Sequence, residues 1–188
     1  MKKIMFSDKH CLTQAVLAGT KTMTRRVLRD NVPLGNWKET VKHLPYKVGE
    51  VIAIAQPYKD IIERLPMYSD AILGVDGIPR KEFKAGWTNK MFVRADLMPR
   101  HIEFTDVKAE RLQDISDEDC LREGIRYYHS SDKRWSNNSG YGYHIPKNGL
   151  HLFDTPYEAF AKLFERISGK GTWENNPLVV AYSFELVD

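Results

Sequence analysis

The chain has 188 residues, 42% hydrophobic and 28% charged, with a formal charge of +3; this is the composition of a globular domain able to bury a proper core. So small a positive charge permits a polyanionic partner but lacks the clustered basicity of a dedicated duplex binder. Two cysteines without a CxxC spacing, no apolar run of membrane-spanning length and only a short apolar stretch after Met1-Lys2-Lys3 predict a reduced, cytoplasmic protein without signal peptide or membrane span.

Residues 2–6 read as a first strand. Ser7 is placed to cap a helix over 8–18, in which Leu12, Ala15 and Val16 recur at helical spacing. Gly19 reads as the helix stop, since glycine takes the left-handed conformation without a Cβ clash, and a strand is expected over 22–28. Residues 29–47 carry Asn31, Pro33, Gly35, Asn36 and Pro45 and read as a long connection. The turn Val48-Gly49-Glu50 leads into the apolar run 51–55, a strand buried on both faces.

Between Pro57 and Trp87 the glycines and Pro79 break every candidate element, which predicts a surface insertion over about 59–86. Lys90 to Val93 reads as a strand and Met98-Pro99-Arg100 as a bend, after which Ile102 and Phe104 share one face. Ser116 caps a short helix whose first turn, Asp117-Glu118-Asp119, complements the positive helix end. Gly124 stops that helix, which leaves Glu123 beside its negative end and three residues from Cys120. Position alone favours a solvated Glu123 paired with Arg122 or Arg126.

Residues 126–152 read as a long loop in which Tyr127, Tyr128, Trp135, Tyr141 and Tyr143 alternate with cations and flexible spacers. Such interleaving suits a stacking surface for unpaired bases, and the insertion is placed at about 127–150. Thr155-Pro156-Tyr157-Glu158 is a capped helix start, with Tyr157, Phe160, Ala161, Phe164 and Ile167 as its apolar stripe. Gly169–Trp173 is a tight turn without the spacing of a phosphate-binding loop. Residues 178–187 close the chain as a strand.

The segment with the most chemistry is Gly19-Thr20-Lys21-Thr22-Met23-Thr24-Arg25-Arg26. In a strand over 22–28, Thr22, Thr24 and Arg26 line one face and Met23, Arg25 and Val27 the other. Hydroxyls and a planar cation, with Lys21 at the mouth, suit an anion or a polar base edge; a solvated sheet face is the competing reading. The six histidines are scattered, so no metal and no cofactor is expected.

This string resembles the glycine–any–lysine–threonine–any–threonine–any–arginine signature of the ASCH domain family. Val48-Gly49-Glu50 and the helix ending at Gly124 match the same pattern. Met98-Pro99-Arg100, Glu110–Ser116 and Gly169–Pro177 are similar to phrases of a bacterial and phage-encoded subgroup. The resemblance implies a single α+β domain over residues 1–188, a PUA-like mixed β-barrel with short helices at its rim and two surface insertions. It implies binding of RNA or a modified nucleoside beside the signature, with Thr22, Arg25, Arg26, Arg100, Tyr128, Trp135 and Tyr141 as binding candidates. Some small members are amidohydrolases that deacetylate N4-acetylcytidine. By motif position their lysine, threonine and glutamate fall on Lys21, Thr24 and Glu123, which makes a metal-independent amidohydrolase the alternative. A phage-type scaffold without catalysis is the second alternative.

Overall fold

The computed structural model describes residues 1–29, 31–33, 35–129, 139–146 and 148–188. In chain order its elements are β1 (Lys3–Ile4), α1 (Leu12–Leu17), β2 (Met23–Val27), α2 (Trp37–His43), β3 (Val51–Ile54), α3 (Tyr58–Arg64), α4 (Ser69–Ile72), β4 (His101–Arg111), α5 (Asp117–Arg122), β5 (Arg126–Tyr128), β6 (Gly140–Ile145), β7 (Gly149–Phe153), α6 (Pro156–Ser168) and β8 (Leu178–Leu186), with short 3-10 turns between them. The fold is mixed α+β with short helices, as expected. Its residues fall into two compact units.

The first unit comprises Met1–Phe6, Val51–Glu103 and Leu186–Asp188. Here β1 runs parallel to β3 (Ile4↔Ile54), and β3 pairs antiparallel with the start of β4 (Ile52↔Ile102). Ile4, Ile52, Ala53, Ile54 and Ile102 are fully buried, as the apolar run predicts, but Val51 at the start of that run is exposed. The stretch expected as a featureless insertion builds α3 and α4 instead. Its Ile61, Ile72 and Phe83 pack with Tyr58, Val93 and Met98 against Ala53 and Ala55 in one buried cluster. Its buried residues are too widely spaced by Gly74, Gly77 and Gly86 to show a helical period. Lys90–Phe92 is a 3-10 turn rather than the expected strand, because the Asn89 side chain accepts from the Met91 N–H (3.0 Å) and draws the backbone into a cap.

The second unit comprises Ser7–Glu50 and Phe104–Glu185. Strand β2 pairs antiparallel with β8 in the register Met23↔Ser183, Thr24↔Tyr182, Arg25↔Ala181 and Arg26↔Val180. On its other side β8 neighbours β4. The expected connection over 29–47 contains α2, capped by the Asn36 side chain; only Thr40 is buried on it, so no apolar stripe announces it. The expected loop over 126–152 contains a three-stranded sheet, β5-β6-β7, with Tyr141↔Phe153 and Tyr143↔His151 in register. Gly140 and Gly142 hide its period of two. A Cβ on Gly142 would stand 2.0 Å from the His151 carbonyl oxygen, so the close approach of β7 requires glycine there. No ladder closes on itself among the described residues.

Helix α6 starts where expected, with the Thr155 hydroxyl accepting from the Glu158 N–H (3.1 Å). Its buried face is Ala159, Phe160, Leu163 and Phe164, rotated from the expected stripe so that Ile167 is exposed. Replacing Thr155 by alanine removes the cap and is expected to lower stability by about 1 kcal/mol, read as a shift of the urea midpoint without change of slope.

Candidate functional site

All the residues described next belong to the second unit. The signature segment is stitched down at its start. Thr20 and Lys21 N–H groups both donate to the Ala15 carbonyl, Thr22 N–H donates to the Arg122 carbonyl, and Phe184 N–H donates to the Thr22 carbonyl, at 2.9–3.0 Å. Lys21 is thereby fixed against the end of α5, only 2% exposed. Its ammonium donates to Glu123 Oε2 (2.6 Å) and to the Glu123 carbonyl (2.7 Å). Glu123 is itself 5% exposed. Gly124 follows in the left-handed region (φ 107°), and a Cβ there would meet the Lys21 stem at 3.6 Å. That distance is ordinary contact, so it is the positive φ at the end of α5 that favours glycine here.

Arg25 projects from β2 onto the same glutamate. It donates to Glu123 Oε1 (3.2 Å), to Asp119 Oδ2 (2.7 Å) and from Nε to Glu110 Oε1 (2.8 Å). Lys108 bridges Glu110 Oε2 (3.1 Å) and Asp119 Oδ2 (3.0 Å). Arg122 joins Asp119 Oδ1 (3.3 Å) to the Ser183 hydroxyl (2.9 Å). The result is a charge network around α5 in which every carboxylate is shared between cations, the arrangement that buried charges require. Burial would push the Asp119 carboxyl up, but the bonds from Lys108 and Arg25 outweigh it and hold it below the usual carboxylate range. For Lys21 burial prevails: despite Glu123 its ammonium titrates below the ordinary lysine value, with Arg26 and Arg25 adding to the effect.

Pairing of Thr24 with Tyr182 and of Arg26 with Val180 puts these four on the face of the β2–β8 ladder opposite to Arg25. That face carries a cleft of about 460 Å³ lined by Arg26, Arg29, Asn31, His43, Tyr46 and Tyr182, with Val27, Leu28, Val32, Leu44, Pro45 and Val180 as its apolar lining. The Tyr46 ring is backed by Phe104, stacked at 5.0 Å, and meets the Tyr182 ring edge-on at 5.6 Å. Tyr182 is almost wholly buried, and burial pushes its phenol up to about 12. Its hydroxyl is therefore neutral throughout the physiological range.

Of the residues singled out in the sequence, Lys21 and Glu123 are brought together, and Glu123 is buried in an ion pair rather than solvated. Thr24 is 6% exposed on the face of β2 opposite to Arg25, so it is not brought to the Lys21–Glu123 pair and is not itself a lining residue of the cleft; Thr22 is half-buried just before the strand. Arg25, expected to meet a ligand, is 4% exposed and holds three carboxylates of the protein instead. Tyr128 lines a smaller cavity of about 250 Å³ with His10, Cys11, Arg126, Tyr143 and His144, in which Cys11 Sγ lies 3.6 Å from His144 Nδ1. Tyr141 packs edge-on against Tyr127 at 5.0 Å. Arg100 belongs to the first unit, where its carbonyl accepts from the Ile54 N–H, and Trp135 lies outside the described residues.

The sequence reading missed Lys108, Glu110 and Asp119. Their signal is present: Lys108 and Glu110 alternate along β4, and Asp119 precedes Glu123 by one helical turn on α5. Tyr46, Arg29 and His43 carry no local signal, since only the fold of 29–47 brings them to β2.

No protein-family model matches the chain, and no curated protein matches it. Among solved structures it is similar over 100% of its length to 80% of a protein of the DUF984 family from Enterococcus faecalis V583, with 18% identity and a TM-score of 0.46. It is also similar over 98% of its length to 78% of an ASCH domain from Lactobacillus crispatus JV V101, with 14% identity and a TM-score of 0.41. No helix among the described residues is long and apolar enough to cross a membrane.

Proposed function

We propose that this chain binds a nucleoside, free or as an unpaired residue of RNA, in the cleft on the Thr24–Arg26 face of β2. The observation that supports it is the cleft itself. At about 460 Å³ it has the size of a small-ligand pocket, and its lining combines apolar and aromatic surface with a few convergent polar groups. The half-buried Tyr46 ring, held in place by the buried Tyr182, offers surface for a base, Arg26 a planar donor fork, and Asn31 both a donor and an acceptor for a base edge. The ASCH-like signature points to the same class of ligand.

Calorimetric titration with cytidine and with a short single-stranded RNA tests this proposal. Tyr46→Ala is expected to weaken binding by about 1–3 kcal/mol, the contribution of one stacked base. Arg26→Gln is expected to weaken it by removing the charged donor. Absence of binding to wild-type protein at low salt, or equal affinities in all three proteins, would contradict the proposal.

A second reading, an amidohydrolase acting on an N4-acylated cytosine nucleoside, is favoured by one specific observation. The Lys21 ammonium is buried, paired with Glu123 at 2.6 Å and shifted down by burial. A lysine so shifted is closer to serving as a base, and Glu123 to passing a proton to the leaving amine; against this reading, Thr24 stands on the face of β2 opposite to Arg25, which shares Glu123 with Lys21. Under this reading acetate is released from N4-acetylcytidine by the wild type, and Thr24→Ala and Lys21→Met each abolish nearly all turnover, since a nucleophile and its base act as a unit. Thr24→Ala removes no member of the charge network, so it is the cleaner variant. Turnover that survives it would rule out the threonine nucleophile.

A further inference from the structure

The rim of the cleft is rich in groups that bind anions. Arg26 and Arg29 line it with His43, all three side chains are exposed, and no carboxylate occurs among its described lining residues. The apolar part lies elsewhere in the same cleft: Tyr46, Leu28 and Val32 are half-buried lining residues, and the buried Tyr182 meets the Tyr46 ring edge to face. The cleft therefore offers apolar and aromatic surface for a base, and a rim of two guanidinium groups and an imidazole.

We infer that this rim is a phosphate subsite, and that the ligand is a nucleoside carrying a phosphate group rather than a bare nucleoside. This deepens the binding proposal above and rests on it. A guanidinium presents a planar fork of donors that matches two oxygens of a phosphate, and charge-assisted bonds of this kind are the stronger class. Arg29 follows Arg26 by three residues, past the end of β2 at Val27. His43 enters from α2, so the rim is assembled from two separate elements. A terminal phosphate on a mononucleotide and a phosphate between two nucleosides share this chemistry, and the test separates them.

The experiment is a set of titrations with cytidine, cytidine 5′-monophosphate, the dinucleotide CpC and inorganic phosphate, followed by calorimetry at low salt. The mononucleotide is expected to bind at least about tenfold more tightly than cytidine, the margin of one good charge-assisted contact. Added salt should narrow that margin, because the rim is exposed and screened. In Arg29→Gln the ratio of the two affinities should fall towards one, and Arg29→Lys should restore part of it. Inorganic phosphate should compete with the mononucleotide. CpC matching the mononucleotide would assign the subsite to a phosphate inside a strand, and CpC binding as weakly as cytidine would assign it to a terminal phosphate. Equal binding of cytidine and its monophosphate by the wild type would overturn the phosphate subsite while leaving the nucleoside cleft intact. Failure of all the cytosine ligands to bind would overturn both. A mononucleotide preference that Arg29→Gln leaves unchanged would place the phosphate away from this rim.

Discussion

Truncating Glu123 to alanine is expected to destabilise the protein by about 3–5 kcal/mol, because it strands the Lys21 ammonium in a site closed to water. The loss is that of removing the carboxylate from a buried ammonium, which keeps the residue-123 carbonyl as acceptor, and not the net worth of the pair. Two further measurements separate these. Adding Lys21→Met to Glu123→Ala should recover part of the loss, a coupling that a double-mutant cycle reads directly. The loss in Glu123→Ala should also shrink as pH rises. Burial already sets the folded-state pKa of Lys21 below its ordinary value of 10.5, and removing Glu123 lowers it further. The loss shrinks between the folded-state pKa of Lys21 in the variant and the higher one in the wild type, where only the variant has shed the proton and its stability alone rises with pH. A Glu123→Ala loss that is small and independent of pH would show that Lys21 is not buried as a cation.

Replacing Arg25 by methionine is expected to have an effect of similar size, about 3–5 kcal/mol at neutral pH, by the same logic with the opposite charge. Glu110, Asp119 and Glu123 all lose a partner at once. Here the pH dependence runs the other way. Asp119 has its folded pKa depressed below the ordinary 3.8 by Lys108 and Arg25. Its contribution is present above that value and is lost as pH falls through the folded pKa. The gap between wild type and Arg25→Met should therefore narrow on acidification below about pH 4. Denaturant melts at neutral pH and at acid pH check this, and a gap that stays constant would remove Arg25 from the carboxylate network.

Much of the frame was legible because its signals are local. Gly19, the Ser116 cap and the Thr155-Pro156 start each act within one helical turn, and the run 51–55 announces a buried strand by composition alone. The alternation of β2 is likewise local, so the placing of Thr24 and Arg26 on one face and Arg25 on the other follows from the sequence. What that alternation could not show is which face meets carboxylates. Asp119 and Glu110 lie 94 and 85 residues from Arg25, and their meeting depends on the docking of α5 and β4. The same holds for Glu123. Alone it reads as a surface residue at a helix end, and only Lys21, 102 residues away, makes it a buried partner. The sheet β5-β6-β7 was hidden for a different reason. Gly140 and Gly142 stand where a strand shows apolar residues, because β7 approaches too closely to admit a side chain at Gly142. Helix α2 was hidden because only one of its residues is buried.

The central claim is that the cleft beside Arg26 holds a nucleoside, and a crystal structure of the protein soaked with cytidine 5′-monophosphate tests it most directly. The base should lie against Tyr46 with the phosphate within hydrogen-bond distance of Arg26 or Arg29. Density for the nucleotide in the smaller cavity beside Tyr128 and Arg126, with the cleft empty, would contradict it.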